Sequence, residues 1–223
     1  MEIKHIFFDL DHTLWDFEKN SALTFRKIFR ECEIDFPVDQ FMKHYMPINH
    51  RYWKMYRENK IKQDELRYCR LKDTFQALNF DASDQLISLL SEQYIQNLSE
   101  QTALLPYTLD ILTYLQDKYQ LHIITNGFDQ VQYKKLKNSA IDTYFKTVTT
   151  AEEVSYKKPH PKVFHHALNK AQADKKESLM IGDNLEADIH GAIQIGMQAI
   201  HLSNDKTQYK RSITQLKELM GIL

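Results

Sequence analysis

Ile3–Leu14 reads IKHIFFDLDHTL, and this stretch decides the fold. An apolar run this short, rich in Ile and Phe, suits a strand buried on both faces, the kind a parallel sheet needs. It ends in Asp9-Leu10-Asp11, so two carboxylates stand at its C-terminal end. From Phe17 to about Glu100 the period changes. Ala22, Phe25, Phe29 and Cys32 recur every three or four residues behind Ser21, a candidate N-cap. Pro37 breaks that helix, and further helical stretches follow near 39–58, 62–78 and 83–99, the last capped by Asp81 or Ser83. After Pro106, helices and short apolar strands alternate. Helices are expected over 107–118, 129–137, 161–169 and 186–195, with Gly196 at C′, and strands over 121–125, 147–149, 179–181 and 197–202. The alternation predicts an α/β fold, a Rossmann-like doubly wound parallel sheet, interrupted after its first strand by a helical insertion. The expected domains are a core of residues 1–16 and 101–223 and an inserted helical domain, 17–100.

Composition bounds the function. The 223 residues carry 29 Lys+Arg against 30 Asp+Glu, so no global field recruits nucleic acid or an anionic membrane. No apolar run approaches the ~20 residues of a spanning helix. Glu2 and Lys4 interrupt the N-terminal run, which is not a signal peptide, and a cytoplasmic location is expected. Cys32 and Cys69 lie far apart without CxxC spacing and read as buried small hydrophobes in a reducing compartment. All five glycines fall at or after Gly127, which reserves glycine-dependent turns for the second half.

In a doubly wound sheet, ligands bind beyond the carboxyl ends of the strands. The expected strands deliver Asp9-Leu10-Asp11-His12-Thr13, Thr125-Asn126-Gly127 and Gly182-Asp183-Asn184 there, with Asp188 following and Lys157-Lys158-Pro159 on a loop. Carboxylates gathered so closely repel unless a cation neutralises them, and hard oxygen ligands favour Mg²⁺. Phosphoryl transfer suits this set. One Asp can attack phosphorus, a second can serve as acid and then base, and a lysine with a hydroxyl can hold the phosphoryl oxygens.

FFDLDHTL, ITNG, KKPHP and MIGDNLEAD, in that order, resemble the four motifs of the haloacid dehalogenase-like (HAD) phosphohydrolase superfamily. The helical insertion resembles its C1-type cap. The resemblance implies that Asp9 is the nucleophile, through an aspartyl-phosphate, and Asp11 the acid/base. It implies that Thr125 binds phosphate beside Asn126 and Gly127, and that Lys158 orients it. Mg²⁺ would be held by the Asp9 carboxylate, the Asp11 main-chain carbonyl and Asp183. Asp188 would be a partner of Lys158 or of the metal. ITNGFDQVQYKKLKNSAIDTYF and KKPHPKVFHHAL look most like the pyrimidine-type 5′-nucleotidase subgroup known as YjjG/YfnB.

The expected activity is therefore a Mg²⁺-dependent phosphomonoesterase acting on a small phosphorylated metabolite, a nucleoside monophosphate first. Sugar-phosphate phosphatases of the N-acylneuraminate 9-phosphatase type and phosphomutases are the alternatives, with a haloacid dehalogenase or a silent binding protein behind them. No nucleic-acid or membrane partner is expected, and the protein is expected to be a monomer or homodimer. Residues 43–72 hold nine Lys/Arg interleaved with Tyr45, Tyr52, Trp53, Tyr56 and Tyr68. A solvated basic face over a buried aromatic one explains this better than base recognition does. His160, His165 and His166 lack zinc spacing and read as surface or packing residues. Trp15 reads as a packing residue at a hinge or as a substrate contact.

Overall fold

β1 (His5–Phe8) lies inside a six-stranded sheet with β2 (Gln120–Thr125), β3 (Phe145–Thr150), β4 (Ser178–Gly182), β5 (Gln198–Leu202) and β6 (Ser212–Ile213). The spatial order is β3-β2-β1-β4-β5-β6, and every pairing is parallel. This computed structural model describes residues 2–205 and 209–223. It divides into two compact units, Met1–Phe17 with Thr102–Leu223, and Glu18–Gln101.

Register places the chemistry. His5 stands opposite both Gln120 and Ser178, and Phe8 opposite both Ile123 and Ile181. One residue on, Asp9 leaves the sheet level with the ends of β2 and β4. All four β1 residues are buried, as a strand covered on both faces requires. Phe7, Ile124, Met180 and Ala199 pack on one face against Val163, Phe164 and Ala167 of α8 (Pro161–Ala171) and Ala192 and Ile195 of α9 (Gly191–Ile195).

The expected helix over 186–195 is a correction. Leu185–His190 is a wider π-helical turn, and only then does α9 begin. Asn184 Oδ1 accepts the Ala187 N–H, and Asp188 Oδ2 folds back onto the Asn184 N–H. The loosened turn lets a buried carboxylate point inward, a common use of π geometry. β6 was not foreseen, because two residues show no period; it pairs with His201 and Leu202.

The glycine expectation also needs correction. His12, Glu33, Asn59, Asn79 and Tyr107 all take left-handed backbone before the first glycine is reached. Of the glycines only Gly196, at φ 90°, does so. Left-handed turns are thus made without glycine at some cost in strain. Gly127 and Gly182 are needed for space instead: a Cβ would lie 2.1 Å from Gln132 Nε2 at the first and 2.3 Å from Asp188 Oδ2 at the second.

The other unit is helical, with α1 (Phe17–Glu31), α2 (Val38–Arg57), α3 (Gln63–Ala77) and α4 (Asp84–Leu98). Its core is aromatic: Phe25 packs on Phe29, Phe41, Tyr45 and Tyr94, and Phe75 on Phe29 and Phe41. Ser21 is not the N-cap. The helix begins four residues earlier, and the buried Ser21 hydroxyl meets the Tyr94 hydroxyl at 2.8 Å. Ser83 does cap α4, accepting the Leu86 N–H. Cys32 and Cys69 are free and half-buried rather than buried. Among the described residues no helix is long and apolar enough to cross a membrane.

Candidate active site

Asp9 follows β1 directly and is 8% exposed. Its N–H donates to Ile181 O at 2.9 Å, which fixes its backbone to β4. Its Oδ1 accepts a hydrogen bond from Lys158 Nζ at 2.6 Å. That ammonium, itself 2% exposed, also donates to Ile124 O at 2.6 Å and lies 2.7 Å from Asp188 Oδ1. Lys158 is held there by its backbone. Asn126 Nδ2 donates to Lys158 O at 3.0 Å, and the Lys158 N–H donates to Asn126 Oδ1 at 2.7 Å. The Lys158–Pro159 peptide is cis. Of the two adjacent lysines, Lys158 is therefore the one at Asp9.

Asp183 follows β4. Its N–H donates to Thr13 Oγ1 at 3.1 Å, and the Thr13 hydroxyl donates to Asp183 Oδ1 at 3.3 Å. His201 Nε2 lies 2.8 Å from the Asp183 carbonyl; that oxygen only accepts, so Nε2 carries the proton.

Asp9, Asp183 and Asp188 each offer an oxygen within 4.8 Å of the others. Three carboxylates against one ammonium leave excess negative charge in a nearly dry volume. Burial pushes the Asp9 carboxyl up to about 7 despite the pull of Lys158, with Asp188 and Asp11 adding to the rise. Burial, then Asp9 and Asp188, carry Asp183 well above the ordinary carboxylate range. Burial alone would lower Lys158, but Asp188 and Asp9 outweigh it and raise it. Clustered hard oxygens with uncompensated charge are the donor set that suits a divalent cation such as Mg²⁺. The residues fit that group.

Asp11 faces elsewhere. Its carboxylate turns to α6 (Asp129–Asn138), where Lys135 Nζ donates to Oδ1 at 2.5 Å and Gln132 Nε2 donates to Oδ2 at 3.0 Å. Gln132 Nε2 also lies 2.6 Å from Thr125 Oγ1, which accepts the Gly127 N–H at 3.1 Å as well. Lys135 Nζ sits 4.1 Å from the centre of the buried Trp15 ring, whose Nε1 donates to Ser139 Oγ at 3.2 Å. Trp15 thus packs inside the α/β unit.

The structure brings Asp9, Asp183, Asp188 and Lys158 together, with Thr125, Asn126 and Gly127 on the adjoining turn. Sequence reading brought Thr13 to this edge without a role and missed Gln132, Lys135 and His201. Gln132 and Lys135, spaced i and i+3 just after ITNG, were the available signal, hidden among Lys134 and Lys137 as an ordinary solvated face. Of the three clustered histidines, His160 Nδ1 accepts the Lys162 N–H at its helix start, His166 lies 3.1 Å from Glu153, and His165 is exposed.

The pattern of the haloacid dehalogenase-like hydrolase family matches residues 6–202, and the chain belongs to that family. It is 30% identical to HAD-hydrolase YfnB of Bacillus subtilis over 90% of this chain and 84% of that one. The crystal structure of YfnB bound to magnesium aligns with a TM-score of 0.90, covering 100% of this chain and 99% of that chain. Pyrimidine 5′-nucleotidase YjjG of Escherichia coli is 30% identical over 89% of this chain and 85% of its own. Glyceraldehyde 3-phosphate phosphatase of Methanothermobacter thermautotrophicus is 29% identical over 98% and 100%.

Proposed function

We propose that the chain is a Mg²⁺-dependent phosphomonoesterase acting on a small phosphorylated metabolite, a nucleoside monophosphate in the first place. The observation that carries this reading is the pair of aspartates beyond β1, one sealed against Lys158 and one held apart on α6. Asp9 attacks phosphorus, and the P–O bond to the leaving group breaks as the aspartyl-phosphate forms. Asp11 gives its proton to the departing oxygen, then takes one from the water that cleaves the intermediate and releases phosphate. Lys158 meets the transferring group's charge, and Thr125 with the turn amides at Asn126 and Gly127 holds its remaining oxygens. Asp9, Asp183 and the Asp11 carbonyl would hold Mg²⁺, whose charge would offset that of the phosphoryl group; Asp188 supports Lys158.

The nucleotide preference is supported by the likeness to YjjG, named a pyrimidine 5′-nucleotidase. A sugar-phosphate substrate is the second reading, supported by the relative named for glyceraldehyde 3-phosphate. We read Glu18–Gln101 as a cap that selects between them.

The test is phosphate release from nucleoside monophosphates, sugar phosphates and phospho-acids with Mg²⁺ present. Hydrolysis of nucleotides, lost in excess chelator, is expected. Full activity in chelator, or halide release from haloacids, would move the chain to the dehalogenases. Turnover of sugar phosphates without phosphate release would make it a mutase.

A further inference from the structure

Asp11 is the most accessible of the paired acids: 22% of its side chain is exposed, against 11% for Asp9 and 1% for Asp188. One side-chain donor meets each of its carboxylate oxygens. Both donors come from one face of α6, and both are buried, Gln132 at 0% and Lys135 at 2%. An ammonium stripped of water gains only if its partner is fixed. Here the partner is fixed, and so is the lysine, lodged against Trp15, which Ser139 holds in turn.

Gln132 does a second thing. Its amide gives one hydrogen to Asp11 and one to Thr125. The opposite assignment would set Gln132 Oε1 against the Asp11 carboxylate, acceptor facing acceptor. Oε1 itself is buried without a hydrogen-bond partner among the described residues, a cost that the two bonds of the amide nitrogen must outweigh. Thr125 Oγ1 then accepts from Gln132 and from the Gly127 N–H. With both lone pairs engaged, the hydroxyl has only its proton left to offer.

We propose that Gln132 and Lys135 are positioning residues that aim the Asp11 carboxylate at the leaving oxygen, and that Gln132 also fixes Thr125 as a hydrogen-bond donor to the phosphoryl group. This rests on the phosphatase reading above. Each Asp11 oxygen accepts one of these donors and so has a second lone pair left for the ester. α6 thereby links the acid to the phosphate-binding turn.

The test compares two esters under single-turnover conditions, which isolate ester cleavage from the later hydrolysis. 4-Nitrophenolate departs without a proton, whereas the anion of phenol is a poorer leaving group and depends on one. Lys135→Met and Gln132→Met should slow phenyl phosphate cleavage about 10²-fold, the scale of a lost general acid. They should slow 4-nitrophenyl phosphate cleavage much less, with Gln132→Met the larger of the two because Thr125 is also released. In an Asp11→Asn background Lys135→Met should add nothing to the phenyl phosphate loss, and Gln132→Met should add only the smaller loss it shows on 4-nitrophenyl phosphate, the part owed to Thr125. Lys135→Arg, which keeps the charge, should recover part of the selectivity, and melting temperatures show that each variant is folded.

Equal losses on both esters, a Lys135→Met loss that adds in full to that of Asp11→Asn, or no loss would overturn the proposal while leaving the phosphatase reading standing. A wild-type protein that cleaves neither these esters nor any other phosphomonoester with Mg²⁺ would overturn both.

Discussion

Asp9 and Asp11 stand two residues apart on one strand end, each with a lysine at hydrogen-bond distance, yet the two pairs are built for different ends. Lys158 is shared among Asp9, Asp188 and a main-chain carbonyl, all but sealed from solvent. Lys135 serves Asp11 from a helix, beside an amide that takes the other oxygen. In the first pair the lysine offsets part of an excess of charge; in the second it sets a direction. Contact distance does not tell the two roles apart. The number of acids sharing the lysine does.

The contrast breaks most readily at Asp9. Asp9→Asn keeps the shape and removes both the proposed nucleophile and one uncompensated charge. Turnover should fall to background, while the metal-free melting temperature should rise, as active-site charges are often held against stability. A measurable residual turnover would count against Asp9 as the nucleophile, and a lower melting temperature would mean that the cluster is not under electrostatic strain. Lys158→Met comes next. It should cost about 10² in kcat/KM on both test esters alike, since charge stabilisation does not depend on the leaving group. It should also destabilise the fold by about 3 kcal/mol in urea titrations, because the buried carboxylates lose their one cation. A leaving-group dependence like that expected of Lys135→Met would erase the difference between the pairs.

Gly127→Ala is subtler. Its Cβ would collide with the Gln132 side chain, not with backbone, so the fold should lose only about 1–2 kcal/mol. The displaced amide should nonetheless reproduce the ester selectivity of Gln132→Met, read by the same single-turnover assay. Wild-type selectivity in this variant would mean that Gln132 is not needed where it stands.

A buried ionisable pair with no carboxylate partner supplies the smallest effect and a control. His5 Nδ1 and His122 Nε2 lie 3.2 Å apart across β1 and β2, and His122 Nδ1 lies 2.9 Å from Thr147 Oγ1. Burial lowers His122 to about 4 and His5 below its ordinary value. The unfolded chain protonates both near pH 6.5. Their stabilisation is thus complete above that pH and is lost as pH falls towards 4, because only the unfolded state takes up the protons. Wild type should lose about 2 kcal/mol relative to His122→Phe between pH 7 and 4.5. Taking that difference in urea midpoints cancels the opposite trend of Asp9 and Asp183. A flat difference would show that the imidazoles titrate normally.

The sheet and the gathering of acids and a lysine at its edge were legible because both rest on local rules. IKHIFFDL could only be a covered strand, and parallel alternation sends the residues after each strand to one edge. Lys158 stood out because it precedes a proline within a motif. Lys135 did not, since a lysine on a polar helix ordinarily faces water; its burial depends on Trp15, 120 positions earlier in the chain. The contacts of Thr13 and His201 were hidden for a similar reason, as each meets Asp183 only after β1, β4 and β5 have paired. The π-helical turn was invisible because it keeps the polar and apolar order of an α-helix. The glycine argument failed because left-handed backbone was open to Asn, His and Tyr as well.

The sheet order carries a consequence for the chain as it is made. β1 is synthesised first, yet its partners are β2 and β4, and His5 pairs with Gln120 and with Ser178. On a ribosome the two aspartates emerge before either partner of their strand and wait for residues 120–182. During that wait Glu18–Gln101 can gather its own aromatic core, while the strand that bears Asp9 has no neighbour. Closure of the sheet is thus a late, long-range event with a large loop entropy to overcome. Until β4 docks there is no place for Lys158 between Asp9 and Asp188, so the nascent chain carries Asp9 without its cation until the residues after β4 have been made.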